Sequence, residues 1–291
     1  MTGAKAINRR DFLKNTGASA LKASALASAS LAAMPVILPK AAHARASLFI
    51  AAASSLRPVL QALRQDVPAL KRLNIRFAWG ATGKLATQII NGAPFDLFFA
   101  ADAIRPALLQ QKGIIPAACR RTFALGRLCL FAADGRTLKD APAILCEGRF
   151  RHLAMANPRH APYGRAARET LMHLGLWESI RPKIVYGENV GQAFQFLRAG
   201  AAELGFVALS QVLTLTGATA PNLWLVPQRM HHPLAQQVVI LKPSREADAF
   251  LRALHSRQGM QILRRFGYDA PPTEDGQAQG GPCSPRRTSR P

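Results

Sequence analysis

Short apolar runs that end in a small or hydroxyl-bearing turn, and then give way to apolar residues spaced three and four apart, recur along most of this chain. Such a run reads as a strand and the spacing after it as a helix, so the chain alternates β and α. Leu48 to Ala53 is the first strand, and Ser54-Ser55 caps a helix carrying Leu56, Val59, Leu60, Leu63 and Val67, with Pro58 tolerated in its first turn. Ile75 to Trp79 is the next strand, followed by Gly80-Ala81-Thr82-Gly83 and a helix with Leu85, Ile89 and Ile90. Asp96 to Ala100 is apolar throughout after its acid, as a parallel strand buried on both faces should be. Leu153 to Ala156, Lys183 to Tyr186, Leu204 to Leu209, Leu223 to Val226 and Gln236 to Leu241 read as further strands. Helices open at Ala161-Pro162-Tyr163-Gly164 and at Glu188-Asn189-Val190, and Ala247 to Phe266 reads as one closing helix. Alternation of this kind predicts a doubly wound parallel sheet. About 225 residues is large for one sheet of such short elements, so two α/β lobes are expected.

Charge is the outlying number in the composition, with 38 Lys+Arg against 16 Asp+Glu. A chain cut after Ala44 still holds 32 basic and 15 acidic residues, but singly or in pairs such as Arg120-Arg121 and Arg264-Arg265. Without a run of basic residues or interleaved aromatics, this reads as anion steering and solubility, not as a nucleic-acid face. The ends are separable from the fold. Asn8-Arg9-Arg10-Asp11-Phe12-Leu13-Lys14, an Ala/Ser/Leu-rich stretch from Ala23 to Leu38 and a small-x-small site at Ala42-His43-Ala44 predict a cleaved export signal over residues 1–44. That stretch is too short and too polar for a membrane span. A second small-x-small site at Ala44-Arg45-Ala46 offers an alternative cut. Residues 270–291, without a large apolar side chain after Pro271, are expected to be a disordered tail. Cys119, Cys129, Cys146 and Cys283 match no metal or redox spacing, which leaves a Cys119–Cys129 disulfide or, as the favoured reading, buried free thiols.

The chemistry lies in the turns. Strand-to-helix turns at Ser54, Thr82, Tyr163 and Val190 supply amide donors and positive helix ends beyond the carboxyl edge of the strands, where open α/β sheets bind ligands. An oxyanion without a proton needs only donors, so hydroxyls and amides suffice. The plainer alternative is that Ser54 and Thr82 are only helix caps. Other motifs fall short. Gly80-Ala81-Thr82-Gly83-Lys84 lacks the spacing of a phosphate-binding loop, and Lys84 reads as a solvated residue near the cleft. His231-His232 has no third ligand in pattern and reads as a loop; Asp96 and Asp102 read as capping residues, with no catalytic signature beside them.

Five blocks carry a resemblance: LFIAAASSLRPVLQAL, FAWGATGKLATQIINGAPFDLFFAAD, MANPRHAPYGRAARETLMHLGLW, YGENVGQAF and ELGFVALSQV. In order and spacing they resemble the periplasmic molybdate-binding components of ABC importers, the ModA-type family, over about residues 47 to 267. The N-terminal Arg-Arg-x-Phe-Leu-Lys core is similar to a twin-arginine export signal, which implies a periplasmic protein. The family resemblance implies two doubly wound α/β lobes, 45–124 plus 237–269 and 125–236, with a ligand cleft between them. It implies a molybdate or tungstate dianion held by Ser54, Thr82, Tyr163 and Val190, the metal being reached only through its oxygens, and no cofactor. It further implies a monomer that is not an enzyme and whose partner is the membrane permease of the transporter. Sulfate, thiosulfate or phosphate would be the alternative ligand. Ala208 departs from the family, some of whose members place a tyrosine hydroxyl there, and Tyr163 is the phenol that would take its place.

Overall fold

The computed structural model describes residues 47–216 and 220–271; the expected export signal and nearly all of the expected tail lie outside the described residues. The strands are β1 (Ser47–Ala53), β2 (Asn74–Gly80), β3 (Leu97–Ala100), β4 (Arg120–Gly126), β5 (Leu128–Ala132), β6 (Leu153–Ala156), β7 (Ile184–Gly187), β8 (Leu204–Ala208), β9 (Leu223–Leu225) and β10 (Leu234–Ile240). The helices are α1 (Arg57–Asp66), α2 (Pro68–Lys71), α3 (Thr82–Ile90), α4 (Ile104–Gln111), α5 (Ala141–Glu147), α6 (Pro162–His173), α7 (Trp177–Ile180), α8 (Val190–Arg198), α9 (Leu209–Val212), α10 (Arg245–His255) and α11 (Arg257–Arg265).

Two five-stranded sheets result, ordered β2-β1-β3-β10-β4 and β7-β6-β8-β5-β9. Each has four strands running one way and a single strand against them: β10 runs against β3 and β4, and β5 against β8 and β9. The sheets are therefore mixed, where the alternation predicted wholly parallel ones. The reason lies in residues 120–132, apolar from Phe123 onward except at Arg127, which end one sheet as β4 and enter the other as β5 with no helix between them. Only a parallel neighbour requires a crossover helix. β10 returns the chain to the first sheet, so β4 and β10 lie whole within it, across the 124/125 and 236/237 boundaries read from sequence.

Strands β3, β6 and β8 are buried along their whole length, as their unbroken apolar sequences require. In the first lobe Phe99 meets Phe123 and Phe250 edge-on, with ring centroids 5.6 Å apart in both pairs. The closing helix is two. Ser256 adopts extended backbone (φ −66°, ψ 160°) and its hydroxyl accepts the Gly259 amide at 3.0 Å, ending α10 and capping α11. A serine that bonds its own backbone outside the helical region competes with helix continuation, and apolar spacing does not register that. Among the cysteines, Cys129 is a buried free thiol and Cys146 an exposed one. Cys119 is disulfide-bonded, and since Cys129 is free the two do not pair.

Helix α6 starts with Pro162, whose missing N–H costs nothing at the first helical position. Two residues later it touches β6 so closely that a Cβ on Gly164 would lie 2.2 Å from the Ala156 carbonyl oxygen. Because the obstacle is backbone, Gly164→Ala should lower stability by about 1–3 kcal/mol, read as a lower urea midpoint at unchanged slope.

Candidate functional site

Four chain segments converge on one cavity. Ala53, Ser54 and Ser55 lie at the end of β1, Gly80, Ala81 and Thr82 open α3, Ala161, Pro162 and Tyr163 open α6, and Asn189 and Val190 open α8; with Ala101 they line a small cavity of about 10 Å³. All four residues singled out from the sequence line it, and no lining side chain is charged. Ser55 and Asn189 join them unforeseen.

The hydrogen bonds at these helix starts determine what the cavity offers. The first intrahelical bond of α8 runs from Ala193 N to Asn189 O, leaving three amides to be satisfied otherwise. Gly191 N donates to Ser54 Oγ at 3.1 Å and Gln192 N to Asn189 Oδ1 at 3.1 Å, so the Val190 amide is left over. In α6 the first bond is Arg165 N to Ala161 O, and since Pro162 has no N–H, Tyr163 and Gly164 carry the open amides. In α3 the first bond is Leu85 N to Ala81 O, and Gly83 N donates to His160 O at 2.9 Å, which leaves Thr82 N and Lys84 N. Thr82 is wholly buried and its Oγ1 accepts the Ala101 amide at 3.1 Å. Ser54 and Thr82 hydroxyls that already accept an amide retain their own proton to donate. The arrangement is thus a ring of neutral donors backed by positive helix ends, suited to an anion.

Tyr163 is placed differently from the expectation that its phenol would reach an anion. Its hydroxyl packs against Gly126 of β4, where a Cβ would lie 2.3 Å from it, and burial pushes the phenol well up, reinforced by Tyr268 and Cys129 nearby. The side chain therefore stays protonated, and its amide is the group free to serve the cavity.

Several contacts join the lobes around the cavity. Besides Gly83 N to His160 O and Gly191 N to Ser54 Oγ, Arg165 of α6 binds Asp102 after β3 at 2.7 Å, and Asp102 also accepts the Arg105 amide at 3.0 Å. Lys84 is solvent-exposed, as expected, and pairs with the likewise exposed Glu188 across the cleft. No sequence signal announced either ion pair, since the partners are 63 and 104 residues apart. Asp102 caps as expected, whereas Asp96 accepts the Phe49 amide of β1 at 2.7 Å and caps no helix. His232 instead contacts Glu169, and among the described residues no group of three or more His, Cys, Asp or Glu side chains forms a metal site.

Residues 48–269 match the bacterial extracellular solute-binding protein family. The molybdate-binding protein ModA of Rhodobacter capsulatus is 39% identical over 197 residues, covering 67% of this chain and 77% of that one. The ModA of Azotobacter vinelandii is 40% identical over 194 residues, covering 66% and 77%. The chain is a ModA-type bacterial extracellular solute-binding protein. The solved structure of the Azotobacter vinelandii periplasmic molybdate-binding protein superposes on this solute-binding protein with a TM-score of 0.72 at 32% identity, covering 77% of this chain and 99% of that one. The sulfate-binding protein SubI of Mycobacterium tuberculosis, 11% identical with a TM-score of 0.59 and covering 78% and 88%, shares the fold alone.

The two ion pairs across the lobes of this solute-binding protein should differ in weight. Asp102 is 7% exposed at its side chain, whereas Lys84 and Glu188 are 49% and 58% exposed. Asp102→Ala should cost about 2 kcal/mol in urea unfolding, since it strands Arg165 and removes the Arg105 cap. Lys84→Ala should stay within about 0.5 kcal/mol.

Proposed function

We propose that the protein captures molybdate, and equally tungstate, in the cavity between its lobes and presents it to the membrane permease of an ABC importer, in the periplasm and as a monomer. One observation carries this reading: Ser54, Thr82, Tyr163 and Val190 line a small cavity whose donors are hydroxyl protons and unpartnered amides, with no charged side chain. A dianion without a proton finds a donor at every oxygen there and meets no carboxylate to repel it. Hydrogenphosphate finds no carboxylate to accept its proton. Sulfate, with shorter bonds to its oxygens, leaves donors in a rigid shell unpaired. Molybdate and tungstate have nearly the same size and charge, so the shell treats them alike. Wild-type function then requires no cofactor, and nothing in the donor set suggests bond-making chemistry.

Capture follows from the division of donors between lobes. Ser54 and Thr82 come from the first lobe, Tyr163 and Val190 from the second, so an anion touching both favours the closed arrangement over the open one. A wider groove of about 720 Å³ shares Ser54 and Asn189 with the cavity and is lined by Arg57 and Arg198, whose charge draws anions towards the site.

Calorimetric titration with molybdate, tungstate, sulfate and phosphate, in buffer free of all four, tests the reading. Molybdate and tungstate should bind tightly at one site per chain, with sulfate and phosphate weaker by orders of magnitude; equal sulfate binding would move the ligand elsewhere among the oxyanions. Ser54→Ala should weaken molybdate about 10–100-fold, because it removes a donor to a charged group and strands the Gly191 amide. Thr82→Asp should abolish binding through like-charge repulsion.

A further inference from the structure

Of the four cysteines in the chain, Cys129 and Cys146 are free thiols and Cys119 is disulfide-bonded. That leaves Cys283 as its one possible partner within the chain. Cys119 closes the short turn Ala117–Cys119 that leads into β4, and β4 is the end strand of its sheet, paired through one edge to β10. The path towards Cys283 starts at the other edge of the same strand. There Leu125 and Asp269 exchange backbone bonds of 2.9 and 3.0 Å in an antiparallel bridge, which aims the chain beyond Asp269 back along β4 towards Cys119.

The lengths agree with this path and leave chain to spare. Leu125 to Cys119 amounts to about 20 Å of extended strand, whereas the chain from Asp269 to Cys283 can reach about 47 Å. Pro271 and Pro272 follow at once and have no amide with which to extend the ladder, so the segment must leave the strand edge. A groove of about 430 Å³ lies beside that edge, between the start of β4 and α10, and Cys119 is part of its lining. Val238 and Leu251 give the groove apolar walls, and Arg121 and Arg252 outweigh the acid Asp248. Residues 272–283 match that lining, because they carry Glu274 and Asp275 and no cation; the cations Arg286, Arg287 and Arg290 all follow Cys283.

We propose that Cys119 and Cys283 form a disulfide that straps residues 272–283 across this groove, with the acids of the segment towards Arg121 and Arg252. Closing the bond turns two thiols into one S–S bond. The two protons and two electrons pass to a disulfide oxidant such as oxidised glutathione, which leaves as two thiols. The chain enclosed by the bond contains β4, the whole second sheet and β10. A cross-link over so long a stretch restricts the unfolded chain strongly, so its effect falls on stability. No residue of the groove lines the anion cavity, and the donors there are untouched by the strap.

Two measurements on the full chain test the bond and the strap in turn. For the bond, the protein is incubated with oxidised glutathione, unfolded in iodoacetamide to cap free thiols, and digested without reductant for mass spectrometry. Peptides holding Cys119 and Cys283 should appear joined, with Cys129 and Cys146 capped. Cys283→Ser should free the Cys119 thiol and lower the melting temperature by about 5–15 °C, and Cys119→Ser should do the same, with no further loss in the pair. Cys119 is 2% exposed, so its replacement also disturbs packing, and Cys283→Ser is the cleaner variant. For the strap, a glutamate-specific protease should cut after Glu274 about tenfold more slowly in the oxidised wild type than in Cys283→Ser, and Arg252→Ala should speed that cutting. Cys119 found joined to a second copy of itself, to glutathione or to another cysteine would overturn the bond. Equal cutting of the oxidised wild type and Cys283→Ser, or an unchanged melting temperature, would overturn the strap.

Discussion

Amide groups that open towards a buried space, with no carbonyl in reach, are what this molecule is arranged around. An unpaired buried N–H is costly, and a folded chain normally leaves few of them. Here the helix starts that carry Thr82, Tyr163 and Val190 line a common cavity, while the Gly83, Gly191 and Gln192 amides beside them are satisfied by His160 O, Ser54 Oγ and Asn189 Oδ1.

The same constraint explains why the lobes meet as they do. Donors from two bodies converge only if the bodies are held in register, and the contacts that hold them differ in kind around the cavity. On one side are polar contacts across the cleft, Lys84 with Glu188 and Asp102 with Arg165; on the other the Ser210 and Tyr268 hydroxyls donate to the Ser55 carbonyl. Of the two ion pairs, only Lys84–Glu188 joins half-exposed groups and breaks and reforms at little cost.

Much of this was legible in the sequence because it is local. A hydroxyl or small residue after an apolar run marks both the end of a strand and the start of a helix, and so Ser54, Thr82, Tyr163 and Val190 were identified and then found around one cavity. What escaped was non-local or lay below the resolution of apolar spacing. β4 and β5 are separated by Arg127 alone and carry no helix to announce them; Ser256 interrupts an otherwise continuous helical pattern by its backbone angles. The direction of the Tyr163 phenol depends on Gly126, 37 positions away in sequence, and no spacing within α6 encodes it.

The return of the chain through β10 has a bearing on the order in which the protein assembles. β10 lies between β3 and β4, pairs with both, and is formed by residues 234–240, after the whole second sheet has been passed. The second sheet is contiguous in the chain, from Leu128 to Leu225, and lacks nothing once those residues are available. The first must hold the edges of β3 and β4 unpaired across that entire interval. On a growing chain the lobe that starts first is thus the lobe that finishes last, and its apolar strand Leu97–Ala100 is the segment that stays open to wrong partners in the meantime.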